Sequence, residues 1–331
     1  MSSKKKYLIV GLGSIGRRHL SGLRTLGIKD EDIVILRSRN AQNKSAISDL
    51  GNVSVVYDLE CALKFGLKAA FITNPTSCHM ELALPLAEAN CNLFLEKPVS
   101  HNIDGLDQLT KLVSSNKLVT QVGYLFRFHP AIIIIKRWLD EHLISDLISV
   151  RAWFGKSLID WHPGEDYRKG YMAKEKLGGG LILTMSHEID YLIWFFGDAD
   201  ILSSNYGNIS HLEMETEDWA NINLRFKSGI IGNIYLDCFR IKEFRGLEII
   251  GQSGEIHYDF VSNNLNLTHK KKKYSRTKTF DPDVSKQIYL TELKDFLDAI
   301  ENPACQTRVP LEEGIRTLKY CLEMKKLGSR I

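Results

Sequence analysis

The sequence predicts a two-part α/β protein. A doubly wound parallel sheet comes first, then an α/β part built on a mostly antiparallel sheet. Three observations predict it. Short apolar runs alternate with helical stretches over residues 7–122. A glycine-rich turn joins the first run to the first helical stretch. Later strands follow one another with few helices between them. At 331 residues the chain exceeds one typical hydrophobic core, so two domains are expected, 1–123 and 124–331.

Tyr7 to Val10 is the first apolar run, and it ends in Gly11-Leu-Gly13-Ser-Ile-Gly16. Ile15, Leu20, Leu23 and Leu26 then give a helical pattern. Ile33 to Leu36, Ala69 to Ile72, Asn92 to Leu95 and Leu118 to Val122 read as further strands. Helical stretches His79 to Ala89 and Asp104 to Ser115 lie between them. Strands alternating with helices imply right-handed crossovers and a parallel sheet with both faces covered.

The glycines gain weight from that setting. They follow a strand and open a helix, so each serves a purpose. One makes a tight turn, one lets a pyrophosphate approach closely, and one allows close helix–strand packing. Backbone N–H groups at the helix start would hold the phosphates. Gly11, Gly13, Ser14, Ile15 and Gly16 are therefore candidate cofactor contacts. The end of the second strand reads Leu36-Arg37-Ser38-Arg39-Asn40, without the acid that commonly bonds a ribose 2′-hydroxyl. Arg37, Ser38 and Arg39 suit a 2′-phosphate instead, which favours NADP over NAD. Exposed loop cations are the plainer reading of the two arginines.

Beyond residue 147 the runs Ile148 to Phe154, Ile201 to Tyr206, Trp219 to Phe226, Ile230 to Asp237, Leu247 to Ile250 and Ile256 to Phe260 read as strands. Ser228-Gly229 marks a hairpin turn, and His129-Pro130 the start of a helix. Helices near 288–300 and 311–325 close the chain. Gly178-Gly179-Gly180 precedes one apolar helical run that carries Thr184, His187, Asp190 and Tyr191, with 184, 187 and 191 on one face.

Composition narrows the partners. Hydrophobic residues make up 44%, charged residues 25%, and the formal net charge is +3. That balance favours neither nucleic acid nor an anionic membrane. The short basic runs Lys4–Lys6 and Lys270–Lys273 read as solvated surface. Six cysteines form no CxxC pair and no His/Cys metal spacing, so no metal is expected. They read as small buried apolar residues in a reducing compartment. Tyr7 to Val10 is too short for a signal-peptide core, and no run is long enough to span a bilayer. The expectation is a cytoplasmic protein.

"GLGSIGRRH", "ITNPTSCH", "FLEKP", "GYLFRFHP" and "GGGLILTMSHEIDYL" occur in that order. In them the chain resembles the Gfo/Idh/MocA oxidoreductases, over nearly its whole length. The resemblance implies a Rossmann domain followed by an open-sheet domain, and a homodimer or homotetramer with sheet faces packed between subunits. It implies cofactor contacts from Thr73, Asn74, Pro75 and His79, and from Glu96 and Lys97. Lys97 follows the end of a strand, where open α/β sheets bind ligands, and Pro98 fixes the backbone after it. In the family the matching lysine faces the nicotinamide and the reacting hydroxyl. His187 matches the family's catalytic histidine, suited to exchange a hydroxyl proton near neutral pH. Lys97 would then stabilise a developing alkoxide.

The resemblance also places Tyr124 and Arg127 near substrate. Trp161, Asp166, Tyr167 and Arg168 lie in an aromatic, donor-rich loop that suits sugars. The likeness of that loop is greatest to members of bacterial surface-sugar pathways, which implies a sugar, sugar acid or nucleotide sugar. Relatives commonly carry Asp where this chain has Thr184. Threonine bonds but supplies no charge, so either substrate handling differs or Asp166 or Asp190 compensates; Asp190 is equally read as a structural hydrogen-bond partner. Two alternatives to a sugar dehydrogenase stay open: a non-catalytic NADP-binding sensor or scaffold, and a redox-elimination glycosidase.

Overall fold

The computed structural model of the protein describes residues 6–39, 50–161, 164–270, 274–302 and 304–330. Asn40, His162, Pro163 and most of the two basic runs lie outside the described residues. The chain forms two compact units: Met1–Tyr124 with Tyr289–Ile315, and Leu125–Ile288 with Arg316–Ile331.

In the first unit, β1 (Lys6–Val10), β2 (Ile33–Leu36), β3 (Ser54–Val56), β4 (Leu67–Ile72), β5 (Asn92–Leu95) and β6 (Thr120–Val122) form one sheet in the order β3-β2-β1-β4-β5-β6. Every neighbouring pair is parallel. α1 (Ser14–Thr25), α2 (Leu59–Leu63), α3 (His79–Glu88) and α4 (Leu106–Ser115) connect the strands. The order reverses between β1 and β4, which opens a crevice beyond their carboxyl ends. β1, β2, β4 and β5 are buried almost throughout, so each is a continuous apolar run rather than an alternating one.

The core of this unit joins Ile9, Ile33, Ile35, Phe71 and Phe94 to Leu20 and Leu23 of α1. It also takes Leu293 and Phe296 of α8 (Val284–Glu301). Phe296 meets Phe71 and Phe94 edge-on, each ring 5.6 Å away. Residues 289–315 thus group with the first unit, whereas the expected division assigned everything after 123 to the second domain.

The second unit holds a nine-stranded sheet. Its strands are β7 (Leu147–Gly155), β8 (Ala199–Gly207), β9 (Trp219–Phe226), β10 (Ile231–Asp237), β11 (Phe244–Gly251), β12 (Gly254–Asp259), β13 (Asn264–His269), β14 (Tyr274–Thr279) and β15 (Ser329–Arg330). Their order is β14-β13-β12-β11-β7-β10-β9-β8-β15, parallel only at β7/β10 and β8/β15. Gly229, at a φ of +92°, turns the β9–β10 hairpin. The buried face carries Val150, Ala152 and Phe154 of β7 and Ala220, Ile222 and Leu224 of β9. α5 (Pro130–Asp140) opens as expected, with His129 as its cap. α9 (Leu311–Leu327) closes the helical part of the chain.

Two expectations need correction. The single helix expected after the three glycines is two: α6 (Leu181–Thr184) and α7 (His187–Phe196). Met185, with ψ of 33°, leaves helical geometry between them. His187 therefore begins a helix, and the face shared by 187 and 191 does not extend through 184. The cysteines are not uniformly buried either. Cys91, Cys238 and Cys321 are buried, Cys61 and Cys78 partly so, and Cys305 is exposed. Among the described residues no helix is long and apolar enough to cross a membrane.

Candidate functional site

The first unit builds a turn fitted to a dinucleotide. Gly11, at a φ of +85°, donates its N–H to Leu36 O at 3.0 Å. Thr73, just past β4, donates its hydroxyl to Val10 O at 2.8 Å and so ties the two strand ends. A Cβ on Gly16 would lie 2.3 Å from Gly11 O, so only glycine lets α1 sit this close to the turn. A Cβ on Gly13 would meet nothing within 4 Å. α1 begins at Ser14 with no side-chain cap and no acid in its first turn. Its first N–H groups and its positive dipole end are thus presented bare, the arrangement that receives phosphate. Ser14 is exposed and Ile15 half-buried at this end. Asn74 Oδ1 is buried with no hydrogen-bond partner among the described residues. Backbone of Asn74 lies 3.3 Å from the Cβ position of Gly11, so this orphaned acceptor belongs to the same turn. These residues fit the phosphates of a dinucleotide.

The end of β2 differs from expectation in detail. Arg37 is buried, its N–H bonded to Val56 O at 3.0 Å, so only Ser38 and Arg39 face outward. Arg39 lies 4.0 Å from Asp58, a carboxylate that also caps α2 through the Cys61 N–H. That cap holds the Asp58 carboxyl below the usual range. The acid is not visible directly after β2 in the sequence because it arrives from a separate segment, past β3.

Two of the expected cofactor contacts, His79 and Glu96, have partners within the protein. His79 is buried, with Nδ1 3.2 Å from Val99 O and Nε2 3.0 Å from Asn74 O. It joins the loops after β4 and β5, and burial lowers its pKa. Glu96 points to α1, where its Oε1 lies 2.8 Å from His19 Nε2. Pro75 leads into a short turn at Thr76–Cys78. Lys97 is half-buried, and its peptide bond to Pro98 is cis. Tyr124, expected near substrate, is fully buried.

In the second unit, Arg127, expected near substrate, is held in a buried ion pair. Its Nε and Nη2 donate to Asp190 at 2.8 and 2.9 Å, both residues are buried, and the guanidinium lies 4.7 Å from the Trp194 ring centre. Asp190 also accepts from Thr317 at 3.3 Å. Of the two readings of Asp190, the structure supports the structural partner. Asp166, Tyr167 and Arg168 bond one another's segment. Arg168 Nε donates to Asp166 at 2.8 Å and Nη1 to Glu213 at 3.4 Å, while the Tyr167 hydroxyl accepts from the Glu213 N–H. The Arg168 bond holds the Asp166 carboxyl low. Trp161 stands edge-on to Phe154 at 6.0 Å.

His187 and Thr184 are both buried, at the facing ends of α7 and α6. The Phe126 ring lies 4.8 Å from the His187 imidazole. On Phe126 rests Arg245, 4.3 Å from the ring centre, and Arg245 Nε donates to the buried Glu188 at 2.8 Å. Tyr191 is buried beside them, and burial, with the Glu188 charge second, pushes its pKa well up. Neither Arg245 nor Glu188 is marked by a local pattern in the sequence. Glu188 adjoins His187 in sequence, but its partner is 57 residues away on β11.

Comparison with known proteins bears on both units. Residues 5–124 match the oxidoreductase family with an NAD-binding Rossmann fold, and residues 132–257 match the GFO/IDH/MocA C-terminal domain. The chain is 25% identical over 319 residues to scyllo-inositol 2-dehydrogenase (NAD(+)) of Bacillus subtilis strain 168, covering 91% of this chain and 88% of that one. Its fold is similar to levoglucosan dehydrogenase in complex with NADH and levoglucosan, with a TM-score of 0.83 at 17% identity over 97% and 96% of the chains. UDP-N-acetylglucosamine 3-dehydrogenase GnnA from Acidithiobacillus ferrooxidans gives 0.78 at 18% identity over 98% and 97%.

Proposed function

The chain belongs to the Gfo/Idh/MocA oxidoreductase family, and from that premise we propose that it is an NAD(P)-dependent dehydrogenase or reductase acting on a CH–OH group of a sugar, sugar acid or nucleotide sugar. The observation that carries the redox reading is the bare start of α1, packed onto the Gly11–Gly16 turn so closely that Gly16 admits no side chain. The substrate class rests on the names of relatives, which act on an inositol, an anhydrosugar and a UDP-sugar.

When bound, the nicotinamide supplies the carbon that takes or gives the hydride. The chain's residues supply the rest. N–H groups of Gly13 to Gly16 and the helix dipole hold the phosphates. Ser38 and Arg39 receive a 2′-phosphate, which favours NADP; Arg37, being buried, contributes less. The Lys97 ammonium stabilises negative charge growing on the hydroxyl oxygen. His187 takes the hydroxyl proton during oxidation and returns it during reduction. Thr184 adds a hydroxyl and no charge beside it. We further propose a homodimer or homotetramer joined through the open face of the nine-stranded sheet, a cytoplasmic location, and a place in bacterial surface-glycan metabolism.

The test combines binding with turnover. NADPH and NADH are titrated by fluorescence against the wild type and Arg39→Ala, and a panel of inositols, aldoses, uronates and UDP-sugars is assayed by nicotinamide absorbance. Arg39→Ala is expected to weaken NADPH about tenfold and leave NADH unchanged. Lys97→Ala and His187→Ala are each expected to lower kcat at least about a hundredfold on any substrate found. An unaltered NADPH/NADH ratio removes the NADP preference. Full turnover by both site variants removes the catalytic assignment. Tight cofactor binding with no turnover across the panel would favour the sensor.

A further inference from the structure

We propose that His19 and His79, neither of them assigned a part in the reaction above, are positioning residues that hold the chain on either side of Lys97. The inference rests on the reading that Lys97 works at the nicotinamide.

On the N-terminal side, the Glu96 N–H still donates to Ile72 O at 3.0 Å, so the β4–β5 ladder runs to the residue before the lysine. The Glu96 carboxylate is then held by His19 Nε2 at 2.8 Å, with the two side chains 14% and 5% exposed. His19 is itself fixed. It stands on α1 one turn past Gly16, with its ring 4.7 Å from Phe94 and 5.4 Å from Phe71. The carboxylate has little room to leave: a Cβ on Gly123 would lie 2.9 Å from Glu96 Oε2. On the C-terminal side, Val99 O lies 3.2 Å from His79 Nδ1, and His79 Nε2 is 3.0 Å from Asn74 O. A neutral imidazole donates to one of these carbonyls and an imidazolium to both; in either state the ring fills the gap between the two loops.

Stability alone does not call for the His19–Glu96 pair. A buried polar pair is commonly replaceable by apolar residues of like volume without loss. Placement is what an apolar pair would not give. His19 ties the helix that presents phosphate-binding N–H groups to the residue preceding Lys97. Phosphate site and lysine are thereby held in one frame, as a reacting group needs.

The test reads Lys97 directly and needs no substrate. Reductive methylation with 13C-formaldehyde turns lysines into dimethylamines that keep their charge, and Lys97→Arg identifies the Lys97 signal by its loss. In the wild type that signal is expected to be shifted from the exposed lysines and to move on addition of NADPH. In His19→Leu it should fall back toward the exposed lysines, with its NADPH-induced shift reduced to less than about a third. NADPH affinity should change by less than about threefold. His19→Gln, whose amide can reach Glu96, should restore the signal. Gly123→Ala serves where His19→Leu fails to fold, since it presses one methyl onto Glu96 and leaves the pair's residues in place. His79→Asn should broaden the same signal. A wild-type Lys97 signal in His19→Leu or, failing that protein, in Gly123→Ala overturns the proposal. A wild-type signal indifferent to NADPH counts instead against the functional reading.

Discussion

His129 shows how a single side chain ties structure to pH. It is buried, and its Nδ1 accepts the Ala131 N–H at 3.2 Å, capping α5 where Pro130 has no N–H to offer. A proton on Nδ1 would remove that acceptor. Burial first, and the Arg245 charge second, lower its pKa from 6.5 to about 4. The folded value thus lies below the unfolded one, so between these limits the unfolded chain binds the extra proton. Stability should therefore be flat above about pH 6.5 and fall as pH drops toward 4, by at most about 3 kcal/mol from this residue. His79, also lowered by burial, adds loss in the same direction. Urea unfolding at about pH 7.5 and pH 5 measures it. His129→Asn keeps a capping oxygen without a titrating group, and should lose less stability between the two pH values than the wild type. Equal losses would refute the assignment. Arg127 teaches the converse at this scale. In sequence an arginine near a site reads as a ligand for an anion, but a bidentate bond to a buried Asp190 63 residues away cannot be seen there.

At the scale of elements, the β1–turn–α1 unit separates two uses of glycine. Gly16 packs against backbone, and an added Cβ at 2.3 Å from Gly11 O must push the helix away. Gly13 faces open space and has an ordinary φ of −73°. Gly16→Ala should lower both the melting temperature of the cofactor-free protein, by several degrees, and NADPH affinity. Gly13→Ala should leave the melting temperature within about a degree while weakening NADPH at least about tenfold, because its methyl enters the ligand's space. Thermal melts and fluorescence titrations decide, and a destabilised Gly13→Ala or an unweakened one would refute the division. The same unit was legible in sequence because β1, β2 and β5 are continuous apolar runs. β14, YSRTKT, was not, since its Ser, Arg, Thr and Lys give little apolar signal at strand spacing, and β13, NLNLTH, alternates correctly but offers only Leu265 and Leu267 among strand-poor asparagines. The break between α6 and α7 was hidden for a different reason. LILTMSHEIDYL contains neither Gly nor Pro, and the Glu217 carboxylate that accepts the Ile182 N–H at the start of α6 comes from 35 residues later.

At the scale of the molecule, what the sequence concealed was discontinuity: Leu293 and Phe296 complete a core begun at Tyr7, and no local pattern announces it. What it also left open is why one face of the nine-stranded sheet stays apolar in patches. Trp153 lies across Gly246, where a Cβ would come within 2.2 Å of the indole, and Phe244 stacks on it at 5.4 Å. Arg240 covers Phe244 at 4.4 Å, and register places Trp153 beside Tyr235 and Tyr235 beside Asn221. Asn233 bridges Asn221 and Asn223 at 2.8 and 2.9 Å, which spends the amides within the face rather than on solvent. Ile231 and Phe244 remain 44% and 40% exposed. A surface of aromatic rings and mutually satisfied amides suits packing against its own copy about a twofold axis, where each contact occurs twice. Sedimentation of the wild type should give a dimer or tetramer. Phe244→Asp combined with Ile231→Asp places four charges in each such contact and should shift the protein to smaller species, with NADPH affinity kept within about threefold because neither residue belongs to the first unit. A monomeric wild type, or an assembly indifferent to both charges, would show that this face meets water.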